Sequence, residues 1–287
     1  MSATKKLLIP VDFSSTSNHT IDYAIALSRE LEVSEIILLK NFHYTSFEIL
    51  LPSPQFILPS RQDLADRKQE NLTRLLELKT FYERIAGDSI KINTVFKEMP
   101  IETFVNSVID DEQPDLMLIG TTIVDEPTDS YTFLNITELV RTSRISVLLI
   151  PDGTQYSAIK TALIPCNLKA LTDIGILRHL NNIIPRSLSN LTLLYFDNSD
   201  DILEDARREK SLEIVGRQTL PDYKFNVYRS KKQDVIGTVG RYTRDLDVQL
   251  IIALPHSHNF LYNLTHKNLI RAISLDAKEP VLVLKAL

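Results

Sequence analysis

Chemistry in a protein needs convergent ligands, a nucleophile with its base, or backbone that can cradle phosphate, and this chain of 287 residues offers few candidates. Cys166 is its one cysteine, which excludes disulfide frameworks and cysteine-rich metal sites. A catalytic thiol would also need a paired base, and none is indicated. Of the six histidines, His19, His43 and His179 are scattered and compose no triad. His256 and His258 flank Ser257, with His266 eight residues later. A metal needs about three converging ligands, and no cysteine or second carboxylate cluster joins these histidines, so no metal is expected. Seven glycines are too few for an obvious phosphate loop, and no Gly-Lys-Ser/Thr occurs. Gly237 and Gly240 have a suggestive gap but lie inside a predicted helix. No catalytic set emerges.

The elements that would position any site follow a clear order. Lys6 to Val11 is an apolar strand ending in Asp-Phe-Ser-Ser, and Ser14 to Ser17 then offer N-cap hydroxyls. Ile21, Ala24, Ile25, Leu27 and Leu31 recur at helical spacing. Glu35 to Asn41 is a second strand. A proline-rich loop from Phe42 to Ser60 carries Phe47, Ile49, Leu50, Leu51, Phe56, Ile57 and Leu58, apolar enough to require burial in the domain or against a partner. A long amphipathic helix spans Gln62 to Ile85, followed by a strand (Ile90 to Phe96), a helix (Ile101 to Asp110), a strand (Leu116 to Gly120), a helix (Leu134 to Thr142) and a strand (Val147 to Pro151).

After the linker Asp152 to Tyr156 the pattern restarts. Thr161 to Leu168 matches Lys6 to Phe13, including the proline at the strand end. Leu171 to Leu180, Leu191 to Asp197, Phe225 to Tyr228, Val235 to Arg244, Val248 to Leu254 and Pro280 to Leu284 replay the order. The run Glu204 to Lys210 has mixed charges at helical spacing and reads as a solvated helix face. Near-continuous apolar strands alternating with helices predict α/β units with parallel sheets covered on both faces. The expected organisation is two tandem, doubly wound five-stranded parallel sheets, one over 1–152 and a shorter, more divergent one over 157–287.

Hydrophobic residues make up 44% and charged residues 24%, the balance of a globular chain, with a net charge of −5. That charge would repel phosphate backbones, so no nucleic-acid partner is expected. The apolar run before Pro10 is too short for a signal-peptide core, and no segment approaches the roughly 18 apolar residues of a membrane span. The expected location is the cytoplasm, with no membrane partner.

Ile9-Pro10-Val11-Asp12-Phe13-Ser14, the helix with Tyr23-Ala24, Asp115 to Gly120, and Val147 to Pro151 together resemble the universal stress protein family, in its tandem two-domain bacterial form. The resemblance implies Rossmann-like, flavodoxin-like units of the adenine nucleotide alpha hydrolase type. It also implies that the fifth strands, Val147 to Ile150 and Val281 to Leu284, pair within one chain. ATP-binding members carry Gly-x2-Gly-x9-Gly-Ser/Thr after the fourth strand, because bare backbone must approach the phosphates. Here Gly120 fills the first slot, but Ile123, Phe133 and Leu134 fill the others, and the second copy has Ala253, His256 and His266 or Lys267. The motif is degenerate. No cofactor is therefore expected, ATP remaining the one to test.

The ligand-cleft candidates implied by the resemblance are Val11, Asp12, Phe13, Asn41, Gly120, Thr121 and Thr122. Asp12 either contacts a ligand or orders the turn into the helix, a role that Asn167 would serve equally in the second copy. The leading expectation is a non-catalytic stress-response protein that binds a small ligand or an unknown protein partner, itself included. The alternatives are a nucleotide-binding regulator with a non-standard pocket in the first domain, possessing at most weak ATP hydrolysis, and an enzyme of unrelated chemistry on the same fold.

Overall fold

The computed structural model describes residues 5–42, 60–121, 130–167, 177, 180–196, 202–231, 234–254 and 279–285, without the side chains of 130–135, 167, 181–182 and 202–206. The apolar loop 43–59, Thr122, Ile123, the helix expected over Leu171–Leu180 except Leu177 and Leu180, and His256, His258 and His266 lie outside these residues. The first half runs β1 (Lys5–Pro10), α1 (Ser15–Leu31), β2 (Val33–Asn41), α2 (Arg61–Ala86), β3 (Lys91–Lys97), α3 (Ile101–Glu112), β4 (Leu116–Thr121), α4 (Ser130–Thr142) and β5 (Val147–Pro151). The second runs β6 (Thr161–Asn167), a short α5 (Leu180–Ile183), β7 (Asn190–Phe196), α6 (Ile202–Thr219), β8 (Lys224–Ser230), α7 (Val235–Asp245), β9 (Leu250–Ala253) and β10 (Val281–Val283).

Local chemistry sets the helix ends. Ser14 caps α1 by accepting from the Ser17 N–H at 3.1 Å. Ser60 and Asp63 form a reciprocal capping box at the start of α2.

The two expected five-stranded sheets are one sheet of ten strands, in the order β3-β2-β1-β4-β5-β10-β9-β6-β7-β8. Each half is parallel internally, and the order of the second half mirrors the first. At the junction β10 runs antiparallel to β5, with Val281, Leu282 and Val283 opposite Leu149, Leu148 and Val147. The physical reason is edge protection: two apolar strands of five and three residues would otherwise expose unpaired backbone groups.

The inner strands are apolar on both faces, as helix-covered strands must be, while the edge strands β3 and β8 carry polar residues such as Asn93 and Asn226. Leu7, Ile9, Ile36, Leu38, Leu118, Leu148 and Leu282 point into one core, under α1, α2, α5 and α6. Their alternating neighbours Leu8, Ile37, Leu39, Met117, Ile119, Leu149 and Val283 point into the other, under α3, α4 and α7. Both cores run across the junction without a break. Polar ties add to it: Arg186 pairs with Glu32 at 2.8 Å, Ser187 hydrogen-bonds Glu30, and the Lys285 N–H donates to Ser146 Oγ at 3.2 Å. Tyr23 of α1 meets Tyr156 of the linker edge-on, with ring centroids 5.2 Å apart. Among the described residues no helix is long and apolar enough to cross a membrane.

Leu282 sits at this junction and is 1% exposed. Leu282→Ala is expected to lower stability by about 2–5 kcal/mol, read from urea denaturation with an unchanged m-value.

Candidate functional site

In an open parallel sheet, ligands sit beyond the carboxyl ends of the strands, where successive crossovers diverge. Here that point lies between β1 and β4, the central neighbours of the first half. The carboxyl ends of β1, β2 and β4 bring Val11, Asp12, Phe13, Asn41, Gly120 and Thr121 to one rim of the sheet. Thr122 lies outside the described residues.

Val11 is buried, and its N–H donates to the Leu39 carbonyl at 2.8 Å, continuing the β1–β2 ladder. Asp12 projects outward, yet Oδ1 accepts from the Ser14 N–H at 2.9 Å, closing the turn into α1. Burial alone would push this carboxyl up. The Ser14 hydroxyl and N–H, the Ser17 hydroxyl and the Lys40 charge outweigh that and hold it below the usual aspartate range. Phe13 adopts a left-handed backbone with φ of 66°. A non-glycine residue in that region is held there by its surroundings. In this case its ring packs against the core.

That ring organises the site. The Lys40 ammonium, from the end of β2, lies 5.1 Å from the Phe13 centroid, and the Arg74 guanidinium, from α2, lies 4.5 Å away. Both distances are within cation–π range. Neither cation makes an ion pair among the described residues. Burial lowers the Lys40 pKa, Asp12 opposes the shift, and Arg74 adds to it. Among the described residues, two cations and the Asp12 carboxylate thus gather at this part of the rim. Lys40 and Arg74 escaped the sequence reading. The signal available for Lys40 was a charge ending the apolar run of β2, directly before Asn41. Arg74 had none, because it lies 34 residues further along, on an otherwise solvated helix face. Asn41 is half-buried at the end of β2, in register with Lys97.

Gly120 is a glycine for packing reasons. A Cβ there would come within 2.4 Å of Thr20 Oγ1 and 2.7 Å of Thr16 Cγ2, because α1 crosses β4 at that point. Thr20 in turn donates to the Thr16 carbonyl at 2.8 Å. Thr121 is buried, and its carbonyl accepts from the Asp152 N–H at 2.9 Å.

The remaining candidates for chemistry that lie among the described residues are engaged elsewhere. Cys166 is fully buried, and burial pushes its thiol up to about 12. His19 Nε2 donates to the Thr154 carbonyl at 2.8 Å, tying α1 to the linker. Gly237 and Gly240 lie within α7, where the Gly237 N–H donates to the capping Asp234 carboxylate. At the first glycine slot of the second half, Ala253 is wholly buried and level with Val283 of β10. Among the described residues no group of three or more metal-ligating side chains converges.

No protein-family model and no curated protein matches the chain. Its likeness is to solved structures. A universal stress protein from Archaeoglobus fulgidus superposes over 98% of this chain and 96% of its own, with a TM-score of 0.66 at 13% identity. A Pseudomonas aeruginosa protein of unknown function covers 99% and 93% of the two chains, with a TM-score of 0.53 and 13% identity. The cytoplasmic domain of a prokaryotic cation chloride cotransporter covers 98% and 96%, with a TM-score of 0.52 and 11% identity. The chain therefore has the α/β fold of a universal stress protein, over both halves.

Two outcomes test the local physics. Gly120→Ala is expected to destabilise by about 1–3 kcal/mol in a thermal melt, because the new methyl overlaps α1. A position reserved for phosphate approach would tolerate the methyl in the free protein. For Asp12, a depressed folded-state pKa contributes stability that is full above the unfolded value of about 3.9 and lost as pH falls through the folded one. The stability difference between wild type and Asp12→Asn should therefore be constant above about pH 5 and shrink on acidification, followed by urea denaturation across pH.

Proposed function

We propose that the protein is a non-catalytic regulator of the universal stress type that binds a small anionic ligand at the carboxyl ends of β1 and β2. The single observation that carries this reading is the Phe13 ring flanked by Lys40 and Arg74, beside Asp12 at the topological switch point. A partly desolvated lysine without an ion pair is costly. An anion bridging it to Arg74 would repay that cost, and Phe13 would hold both cations in place. A carboxylate or phosphate group is the matching chemistry, since a guanidinium offers paired donors to either.

The absence of catalysis is supported by the burial of Cys166 and the engagement of His19 with Thr154. A nucleotide is one form such a ligand could take, approached through its phosphate at Lys40 and Arg74 rather than through glycines. The Archaeoglobus protein lends its family role, a stress response, to this proposal. On this reading the bound ligand is sensed by a protein partner in the cytoplasm.

Isothermal titration with ATP-Mg²⁺, AMP, inorganic phosphate and citrate tests the proposal. At least one of these anions should bind, and Lys40→Ala and Arg74→Ala should each weaken that binding by about 10-fold or more, as expected for losing a charge-assisted hydrogen bond. Binding of none of them, or binding indifferent to both substitutions, would overturn the reading. Release of phosphate from ATP by the wild type would overturn its non-catalytic part.

A further inference from the structure

The outer face of α2 carries a surface that the ligand site does not use. Thr73, Leu76, Glu77, Thr80, Phe81 and Arg84 line an open groove of about 410 Å³ along this helix. Phe81 is 57% exposed, and Leu76 and Ile85 are 49% and 48% exposed. The opposite side of the same helix is anchored, with Leu75 and Tyr82 buried in the core. Phe81 is further held by an edge contact to the Tyr82 ring at 5.1 Å. A rigid helix therefore displays an aromatic ring between a carboxylate and a guanidinium.

The charges identify the occupant. Glu77 and Arg84 form no ion pair among the described residues, whereas Lys79 and Glu83 on the same helix pair at 3.6 Å. Glu77 and Arg84 are seven residues apart, which returns them to one stripe of the helix, with Thr80 and Phe81 midway between them. A two-fold axis passing between Thr80 and Phe81 would lay an antiparallel copy of α2 along this stripe. Glu77 then stands level with the partner's Arg84 and Arg84 with the partner's Glu77, while the two Phe81 rings meet at the centre. The stripe is complementary to itself under a two-fold, which satisfies both pairs at once, whereas an in-register parallel copy would set Glu77 against Glu77.

We infer that the protein self-associates through α2, an isologous contact between two copies of this chain with Phe81 at its centre and reciprocal Glu77–Arg84 pairs on either side. One helix pair buries an area at the low end for specific interfaces, so the dimer is weak, with a dissociation constant on the order of micromolar. It is also salt-sensitive, because both pairs lie near solvent.

Sedimentation velocity over a concentration series should show a monomer–dimer equilibrium in the wild type. Glu77→Arg and Arg84→Glu should each shift it to monomer by placing like charges opposite each other. The double variant Glu77→Arg/Arg84→Glu should restore the dimer. Thr80→Cys should form a disulfide-linked dimer under mild oxidation, since Cys166 is buried and does not compete. Circular dichroism melts confirm that each variant is folded. A wild type monomeric at every concentration, a dimer that survives both single reversals, a double variant that stays monomeric, or a Thr80→Cys that fails to cross-link would each overturn the inference.

Discussion

The antiparallel pairing of β5 with β10 is the constraint on which the rest of the molecule depends. Each half would otherwise end in an apolar strand with unpaired N–H and C=O groups on its outer side. Joining those edges makes one sheet of ten strands and lets both cores pass through the junction, with Leu148 beside Leu282 on one face and Val147 beside Val283 on the other. The antiparallel sense at this one place is what reverses the strand order of the second half. It also brings the far end of α1 against the second half, where Glu30 and Glu32 meet Ser187 and Arg186. Among the described residues the outer strands of this sheet are β3 and β8, as far apart as the sheet permits.

The position of α1 follows from this arrangement and limits what the rim can do. The helix crosses β4 so closely that only glycine fits at position 120, and the Thr16 and Thr20 side chains fill the space beside it. The same helix start draws in the Asp12 carboxylate, which bonds its own backbone two residues on. Gly120 and Asp12 are therefore committed to folding, and the charges beside them are Lys40 and Arg74 around Phe13. The described cations of the rim rest on an aromatic ring held by a left-handed backbone.

Much of the architecture was legible in the residue pattern, because a parallel strand covered on both faces must be apolar at consecutive positions. Lys6 to Val11, Ile36 to Leu39, Leu116 to Ile119 and Val147 to Ile150 could hardly be anything else. The start of α1 was legible in the Ser14 cap, whereas the box of Ser60 with Asp63 that opens α2 was not read, the helix being expected from Gln62. The cleft candidates stand at strand ends on one rim as far as they are described, since strand ends in such sheets gather on one side. Their roles were not legible. Whether Gly120 serves a phosphate or a helix depends on how near α1 approaches, and no local pattern encodes that distance.

The sequence by itself determined the order and kind of the elements and the degenerate glycine motif, because these follow from side-chain type and short-range periodicity. The resemblance already implied that the fifth strands pair, whereas tertiary structure alone decided that Lys40 and Arg74 share the Phe13 ring. It also decided that Glu77 and Arg84 make no ion pair among the described residues. Each of these depends on groups brought together from distant parts of the chain, or on neighbours a helix lacks, and the energy of a contact is set by distance in space rather than along the sequence.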